Sequence, residues 1–298
     1  MYIKCALVLC AAVAADGFNL APLDVEFHLY TRSNPYVSQP VTPSFTSFLT
    51  TNFSPSRRTF LTIHSNGEGV AGNFNAFVVG GLLTAADVNV IAVDWSRASL
   101  LYTLGLANAP QAGEMIADII NVLIVNFGYS ADLVTIVGVG LGGHLAGITA
   151  RAISGNVAHI VAIDPSFHGW THHPDILTAE DAGVVEVLHA TAGIQGYDYP
   201  LGTIDFYPNG GVYQNGCGAD ISCGHIFAYA FYAESVIAEL NSNTNNQFVG
   251  TACESYEQAV ANSCSGPRDA IFGGTAVKTS ESGIYTFNTN AVQPFAQG

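Results

Sequence analysis

The stretch Leu133 to Ala146, LVTIVGVGLGGHLA, constrains the fold more than any other part of the chain. Its first half, Leu133 to Val139, is a run of apolar and β-branched residues without polar alternation, the pattern of a strand covered on both faces. Gly138, Gly140, Gly142 and Gly143 then crowd into a corner before a helix-compatible segment. Glycines at that density mark a sharp change of direction with close backbone approach. A buried strand feeding a helix through a tight corner calls for a parallel sheet under helices.

The rest of the chain repeats the theme. Apolar strand-like runs recur at Phe60–His64, Val88–Trp95, His159–Asp164 and Val184–His189. Between Ala112 and Phe127, Met115, Ile116, Ile119, Ile120, Leu123 and Ile124 fall at helical spacing. Strand–helix alternation with fully apolar strands predicts an α/β fold: one mostly parallel central sheet with helices on both faces. The 298 residues are 49% apolar, enough for one substantial core, and no linker composition divides them. Asp24 to Ser56 reads as an extended, proline-dotted lead-in. Beyond Thr191 the pattern becomes turn-rich, resumes as a helix over Cys223 to Leu240, passes an Asn-rich loop around Asn241 to Phe248, and returns as edge strands between Gly273 and Gly298.

The N-terminus, MYIKCALVLCAAVAADG, has one lysine, an apolar run from Cys5 to Val13, then small residues, which reads as a secretory signal peptide over residues 1–15 with the mature domain at 16–298. A membrane anchor is the alternative, but the run is short of the ~20 residues a spanning helix needs. No later segment is expected to span a bilayer. The charge is −15, and loss of Lys4 with the leader makes it −16. A field of that sign argues against nucleic acid and anionic lipid as partners and for solubility in a concentrated secreted fluid. Cys5 and Cys10 leave with the leader. Cys217, Cys223, Cys253 and Cys264 remain as two local pairs, which suggests Cys217–Cys223 and Cys253–Cys264 disulfides; a zinc site is the rival, without the tight C-x-x-C spacing. Asn52-Phe53-Ser54 is an N-glycosylation sequon followed by Pro55, which argues against its use.

Functional groups in such a sheet gather at the carboxyl ends of the strands. Asp164 ends the run HIVAID and is pinned by Pro165, and His225 follows Cys223 at the start of a predicted helix. The corner Gly138-Val139-Gly140-Leu141-Gly142 has the spacing of a G-x-S-x-G nucleophile elbow, with glycine where the serine would stand. Elbow, acid and histidine follow one another in the chain order of the α/β-hydrolases.

Along nearly all its mature length the chain resembles the animal pancreatic-lipase family, in its insect branch. The stretches that carry the resemblance are FLTIHSNGEG, NVIAVDWSRAS, GVGLGGHLAG, IVAIDPS, EDAGVVEVLHAT, GTIDFYPNGG and CGHIFAYAFYAES. The resemblance implies an α/β-hydrolase fold, with Asp164 as triad acid, His225 as triad base and Gly140 at the nucleophile position. It implies oxyanion-hole donors at the backbone of Leu141 and near Asn66, on a turn where the family's His-Gly reads His64-Ser65. The lid would be only Gly218 to Ser222, as in the short-lid venom phospholipases of insects, and no C-terminal β-sandwich domain follows. Insect yolk proteins, the moth follicular yolk polypeptides among them, are homologues of this kind with an impaired elbow.

Acyl transfer by this route needs an oxygen or sulfur nucleophile, and removing a triad serine costs about as much as removing the whole triad. The chain is therefore expected to be a catalytically inactive lipase homologue. Its leading role is a secreted yolk or storage protein of insect eggs, with other yolk proteins or an uptake receptor as partners. One alternative is a carrier that holds a lipid, pigment or other hydrophobic ligand in the old acyl pocket, lined by the oxyanion turn, the elbow and GIQGYDYPLG. Another is a weak carboxylic ester hydrolase or phospholipase. No cofactor or metal is expected. Ser130, Ser154 and Thr149 lie too far along their elements to replace the nucleophile; Ser65 is the near hydroxyl, with no base placed to reach it. Asp164 and His225 also have a structural reading, as a buried pair that satisfies itself. His144 reads as a packed residue at a helix start, and His168, His172 and His173 as loop histidines rather than a metal site.

Overall fold

The computed structural model describes residues 19–241 and 246–298. The signal-peptide reading lies outside these residues, as does the middle of the Asn-rich loop. Among the described residues eleven strands form one sheet: β1 (Glu26–Tyr30), β2 (Gln39–Val41), β3 (Thr59–Ile63), β4 (Asn89–Asp94), β5 (Val134–Val139), β6 (His159–Ile163), β7 (Val184–Leu188), β8 (Ile204–Pro208), β9 (Phe248–Cys253), β10 (Arg268–Phe272) and β11 (Gly283–Phe287). The helices are α1 (Phe45–Phe48), α2 (Asn73–Ala85), α3 (Tyr102–Phe127), α4 (Leu141–Ala152), α5 (Ile221–Ala238) and α6 (Tyr256–Val260).

The strand order is β10-β9-β11-β8-β7-β6-β5-β3-β4-β1-β2. From β4 to β11 the strands run parallel; β1 and β2 at one margin, and β9 and β10 at the other, are antiparallel. The pleat sorts the apolar strand residues onto two faces. Leu61, Ile91, Ile136, Ile160 and Val185 pack on one side with Ile116, Ile120, Leu123 and Leu145 of α3 and α4. Phe60, Val90, Val137, Val161 and Phe206 pack on the other with Phe74, Leu82, Phe231 and Val236 of α2 and α5. Both faces are thus covered by helices, and the mostly parallel α/β-hydrolase architecture is present.

Five readings of the sequence need correction. The lead-in is not merely extended: β1 pairs with β4 and β2 with β1, so it widens the sheet. The helix read from Ala112 begins at Tyr102 and carries Pro110 within it. Beyond Thr191, β8 continues the parallel sheet. Within Gly273–Gly298, β11 is an interior strand between β8 and β9, while the margin is β10. The expectation that no downstream segment is long and apolar enough to span a bilayer also fails by composition. Ile221–Ala238 meets that measure at mean hydropathy 1.2, but most of it is buried in the fold, where it covers the sheet as a core helix. Cys217 is joined to Cys223 and Cys253 to Cys264 by disulfides.

Candidate active site

At the carboxyl end of β5 the chain turns through Gly140 into α4. Gly140 has φ 57° and ψ −120°, a conformation that strains any residue with a Cβ. Its N–H donates to Ile163 O at 3.1 Å, and its carbonyl accepts from Gly143 and Ser166 N–H, each at 3.1 Å. At Gly138 a Cβ would collide with the backbone of Gly142. The corner therefore keeps the close strand–helix geometry of a nucleophile elbow, without a side chain at its tip.

Asp164 directly follows β6 and is completely buried, with φ 45°. One carboxylate oxygen accepts from Ala190 N–H at 2.8 Å and Thr191 N–H at 2.9 Å; the other accepts from the Thr191 hydroxyl at 2.5 Å and lies 2.7 Å from His225 Nδ1. Burial alone pushes this carboxyl up, but the bonds from His225, Thr191 and Ala190 and the charge of His225 outweigh it and hold it below the ordinary carboxylate range. An acceptor-only carboxylate fixes the tautomer of its partner, so Nδ1–H of His225 donates to it and Nε2 is the free lone-pair nitrogen. His225 sits in the second turn of α5, rather than at its start, and its side chain is 11% exposed. Among the described residues its Nε2 makes no hydrogen bond. Asp164, His225 and Gly140 lie together at the carboxyl ends of β5 and β6.

The turn after β3 closes the site. His64 Nδ1–H donates to Ser65 O at 2.7 Å, Trp95 N–H donates to His64 Nε2 at 3.2 Å, and Trp95 Nε1–H donates to His64 O at 2.9 Å, which locks the turn from below. Asn66 is partly exposed beside it. A Cβ at Gly140 would overlap Ser65 Oγ and lie 2.9 Å from Ser65 Cβ and 3.4 Å from His225 Cε1, so Ser65 adjoins the elbow, although it makes no hydrogen bond to His225. The Ser65 hydroxyl thus occupies the space vacated at the elbow, and Leu141 N–H points to it at 3.4 Å. The sequence signal that could have found it is the substitution of His64-Ser65 for the family's His-Gly on the turn facing the elbow.

The remaining histidines fall elsewhere. His144 is buried, donates from Nε2 to Ser166 O at 2.8 Å, accepts Leu177 N–H at 3.3 Å and stacks on Trp170 at 4.0 Å. Burial pushes its imidazole down to about 3. His168 and His172 are exposed, His173 lies against Trp170, and among the described residues no three His, Cys, Asp or Glu side chains converge as a metal site. Between Cys217 and Cys223 the loop is short, and Asp220 caps α5 by accepting Cys223 N–H at 3.1 Å. A second buried polar group was not foreseen. Near the amino ends of β6 and β7, Glu186 accepts from Lys278 at 2.5 Å and Gly273 N–H at 2.7 Å and lies 3.3 Å from His159.

Human pancreatic triacylglycerol lipase is 31% identical over 82% of this chain and 57% of its own length. Lipase member H-A of Xenopus laevis is 34% identical over 81% of the chain and 54% of its length. Inactive pancreatic lipase-related protein 1 of mouse is 30% identical over 81% and 56%. The chain thus spans little more than half the length of the curated relatives it matches. Among solved structures, a CIB-like hydrolase from Thermoplasma acidophilum overlaps 58% of this chain and 72% of its own at TM-score 0.34 and 14% identity. A family model described as Lipase matches residues 4–295, and the chain belongs to that family, as a member with glycine at the elbow tip.

Proposed function

We propose that this protein is a secreted member of the lipase family that does not run the family's elbow reaction and serves as a yolk or storage protein of insect eggs. The observation that carries this reading is Gly140: the elbow is intact in its backbone and has no atom to attack an acyl carbon. An inactive lipase-related protein among its relatives supports the loss of activity as a course open to the family. Two disulfides suit an oxidising compartment, and the strongly acidic surface suits a protein kept soluble at high concentration, taken up by a receptor or packed with other yolk proteins. The test is tissue and turnover together. Abundance confined to ovary and egg, with no hydrolysis of emulsified long-chain triacylglycerol, is expected; abundance in gut or venom gland would overturn the storage role.

A second reading, a carrier of lipid or pigment, draws support from a cavity of about 620 Å³ lined in part by Leu20, Pro22, Val25, Phe27, Val41 and Met115. It has the size of a small-molecule site, but it lies at the β1–β2 margin rather than at the old acyl pocket. Mass spectrometry of an organic extract of the natively purified protein tests it: a stoichiometric hydrophobic ligand supports a carrier, and an empty extract removes that reading.

A further inference from the structure

We infer that Ser65 is a displaced nucleophile: a serine carried on the turn after β3 that reacts with carboxylic esters using the His225–Asp164 pair left behind at the elbow. Three features of the structure converge on it. The Ser65 hydroxyl fills the space that a side chain at position 140 would enter, and the ring edge of His225 flanks the same point at 3.4 Å. The hydroxyl is held loosely, with Leu141 N–H at 3.4 Å and Asn66 Oδ1 at 3.3 Å, both long for hydrogen bonds, so it is free to turn toward His225. The pair itself has the form of a base: Asp164 is fixed by three further hydrogen bonds, while Nε2 of His225 makes none among the described residues.

In the reaction, a bond forms between Ser65 Oγ and the carbonyl carbon as the hydroxyl proton passes to His225 Nε2. The ester C–O bond then breaks and the alcohol leaves with that proton. Water next gives a proton to His225 as its oxygen attacks the acyl carbon, the carboxylic acid is released, and Ser65 takes the proton back. Leu141 N–H, already directed at Ser65 Oγ, is placed to donate to the oxygen that gains charge. Because Ser65 is not at the tip of the elbow, the carbonyl carbon sits closer to the β3 turn than in an elbow reaction. This favours small, unhindered acyl groups over long chains.

This inference stands apart from the storage reading, which needs no turnover and is tested by tissue. The experiment is labelling of the folded wild-type protein with a short-chain alkyl fluorophosphonate, followed by peptide mapping. Attack by Ser65 Oγ forms a phosphorus–oxygen bond and expels fluoride. The expected result is one adduct on Ser65, absent in Ser65→Ala and formed at least about 100-fold more slowly in His225→Ala, the scale of a lost general base. No adduct, an adduct on another residue, or labelling of Ser65 at an unchanged rate in folded His225→Ala would each overturn it. Far-ultraviolet circular dichroism establishes that both variants are folded.

Discussion

Among the described residues, the two histidine–aspartate pairs joined by hydrogen bonds shorter than 3 Å, His189–Asp205 and His225–Asp164, are built for different ends. His189 is engaged at both ring nitrogens inside the protein, each facing an acceptor oxygen: Nδ1 meets Tyr197 O at 2.7 Å, Nε2 meets Asp205 at 2.9 Å, and the ring stacks on Tyr207 at 4.3 Å. His225 engages Asp164 through Nδ1, and among the described residues its other nitrogen makes no hydrogen bond. The first pair closes a polar account within the core. The second leaves one nitrogen available, which is the arrangement a base requires and one that burial alone does not favour. The difference suits His225 and Asp164 to acid–base work, and it is the reason Ser65 is of interest.

That comparison can be broken by measurement. His189→Ala removes a fully buried ring, leaves Tyr197 O without a donor and takes a partner from buried Asp205, so a loss of about 4 kcal/mol in chemical denaturation is expected. His225→Ala opens a partly exposed position where water can replace the ring, and Asp164 keeps its bonds to Ala190 and Thr191; the expected loss is about 1 kcal/mol. Equal losses would make the two pairs alike and remove the distinction.

Acid should act through His144, buried and hydrogen-bonded at both ring nitrogens. His144 stays neutral in the folded protein down to about pH 3, while in the unfolded chain it takes up a proton near pH 6.5. Stability from this group is therefore complete above pH 6.5 and falls as pH drops toward 3, by about 1.4 kcal/mol per unit, or about 2 kcal/mol by pH 5. His144→Gln is expected to flatten that slope. Asp164 acts in a lower window: its depressed carboxyl contributes stability above the unfolded value of 3.8 and loses it as pH falls through the folded value. Denaturation curves at pH 7 and 5 read the His144 slope, and curves taken below pH 3.8 add the loss from Asp164.

The nucleophile half gives the next effect in size. Gly140→Ala puts a Cβ into a strained backbone and against Ser65, at an expected cost of about 2 kcal/mol, part of which returns when Ser65→Gly is added. Additive losses in a double-mutant cycle would show that the two positions do not compete for the same space. The same logic applies to restored chemistry. Gly140→Ser combined with Ser65→Gly is expected to hydrolyse short esters faster than Gly140→Ser alone, where the two side chains obstruct each other.

Much of this was legible in the residues. The apolar runs that became β3, β5, β6 and β7 could be read because strands buried on both faces carry continuous hydrophobic sequence, and Asp164 followed from its place after one of them. The marginal strands were harder. Glu26–Tyr30 and Arg268–Phe272 alternate or carry charge, so their sequence resembles that of loops, and only pairing with β4 and β9 makes them strands. β8 was hidden because IDFYP begins just after a turn and places Asp205 inside the strand, where His189, Leu201 and Gly202 satisfy it. Pro110 obscured the first turns of α3, since proline inside a helix costs a backbone hydrogen bond and marks a boundary in most chains. The polar group of Glu186 and Lys278 was invisible for a related reason: a single lysine in a loop shows no sign of reaching a strand far away in the sequence.

By itself the amino-acid sequence determined the architecture and the loss at the elbow, because strand and helix periodicities are local and because glycine at position 140 has no side chain in any fold. What only the tertiary structure decided is how that loss was filled. Ser65 and Gly140 belong to neighbouring strands' ends, and whether a hydroxyl on one turn enters the space left on another depends on the register of β3 against β5 and on the path of the His64 turn, fixed through Trp95. Those are relations of distance, which residue identity does not encode. They turn two separate departures from a family pattern into one contact beside His225.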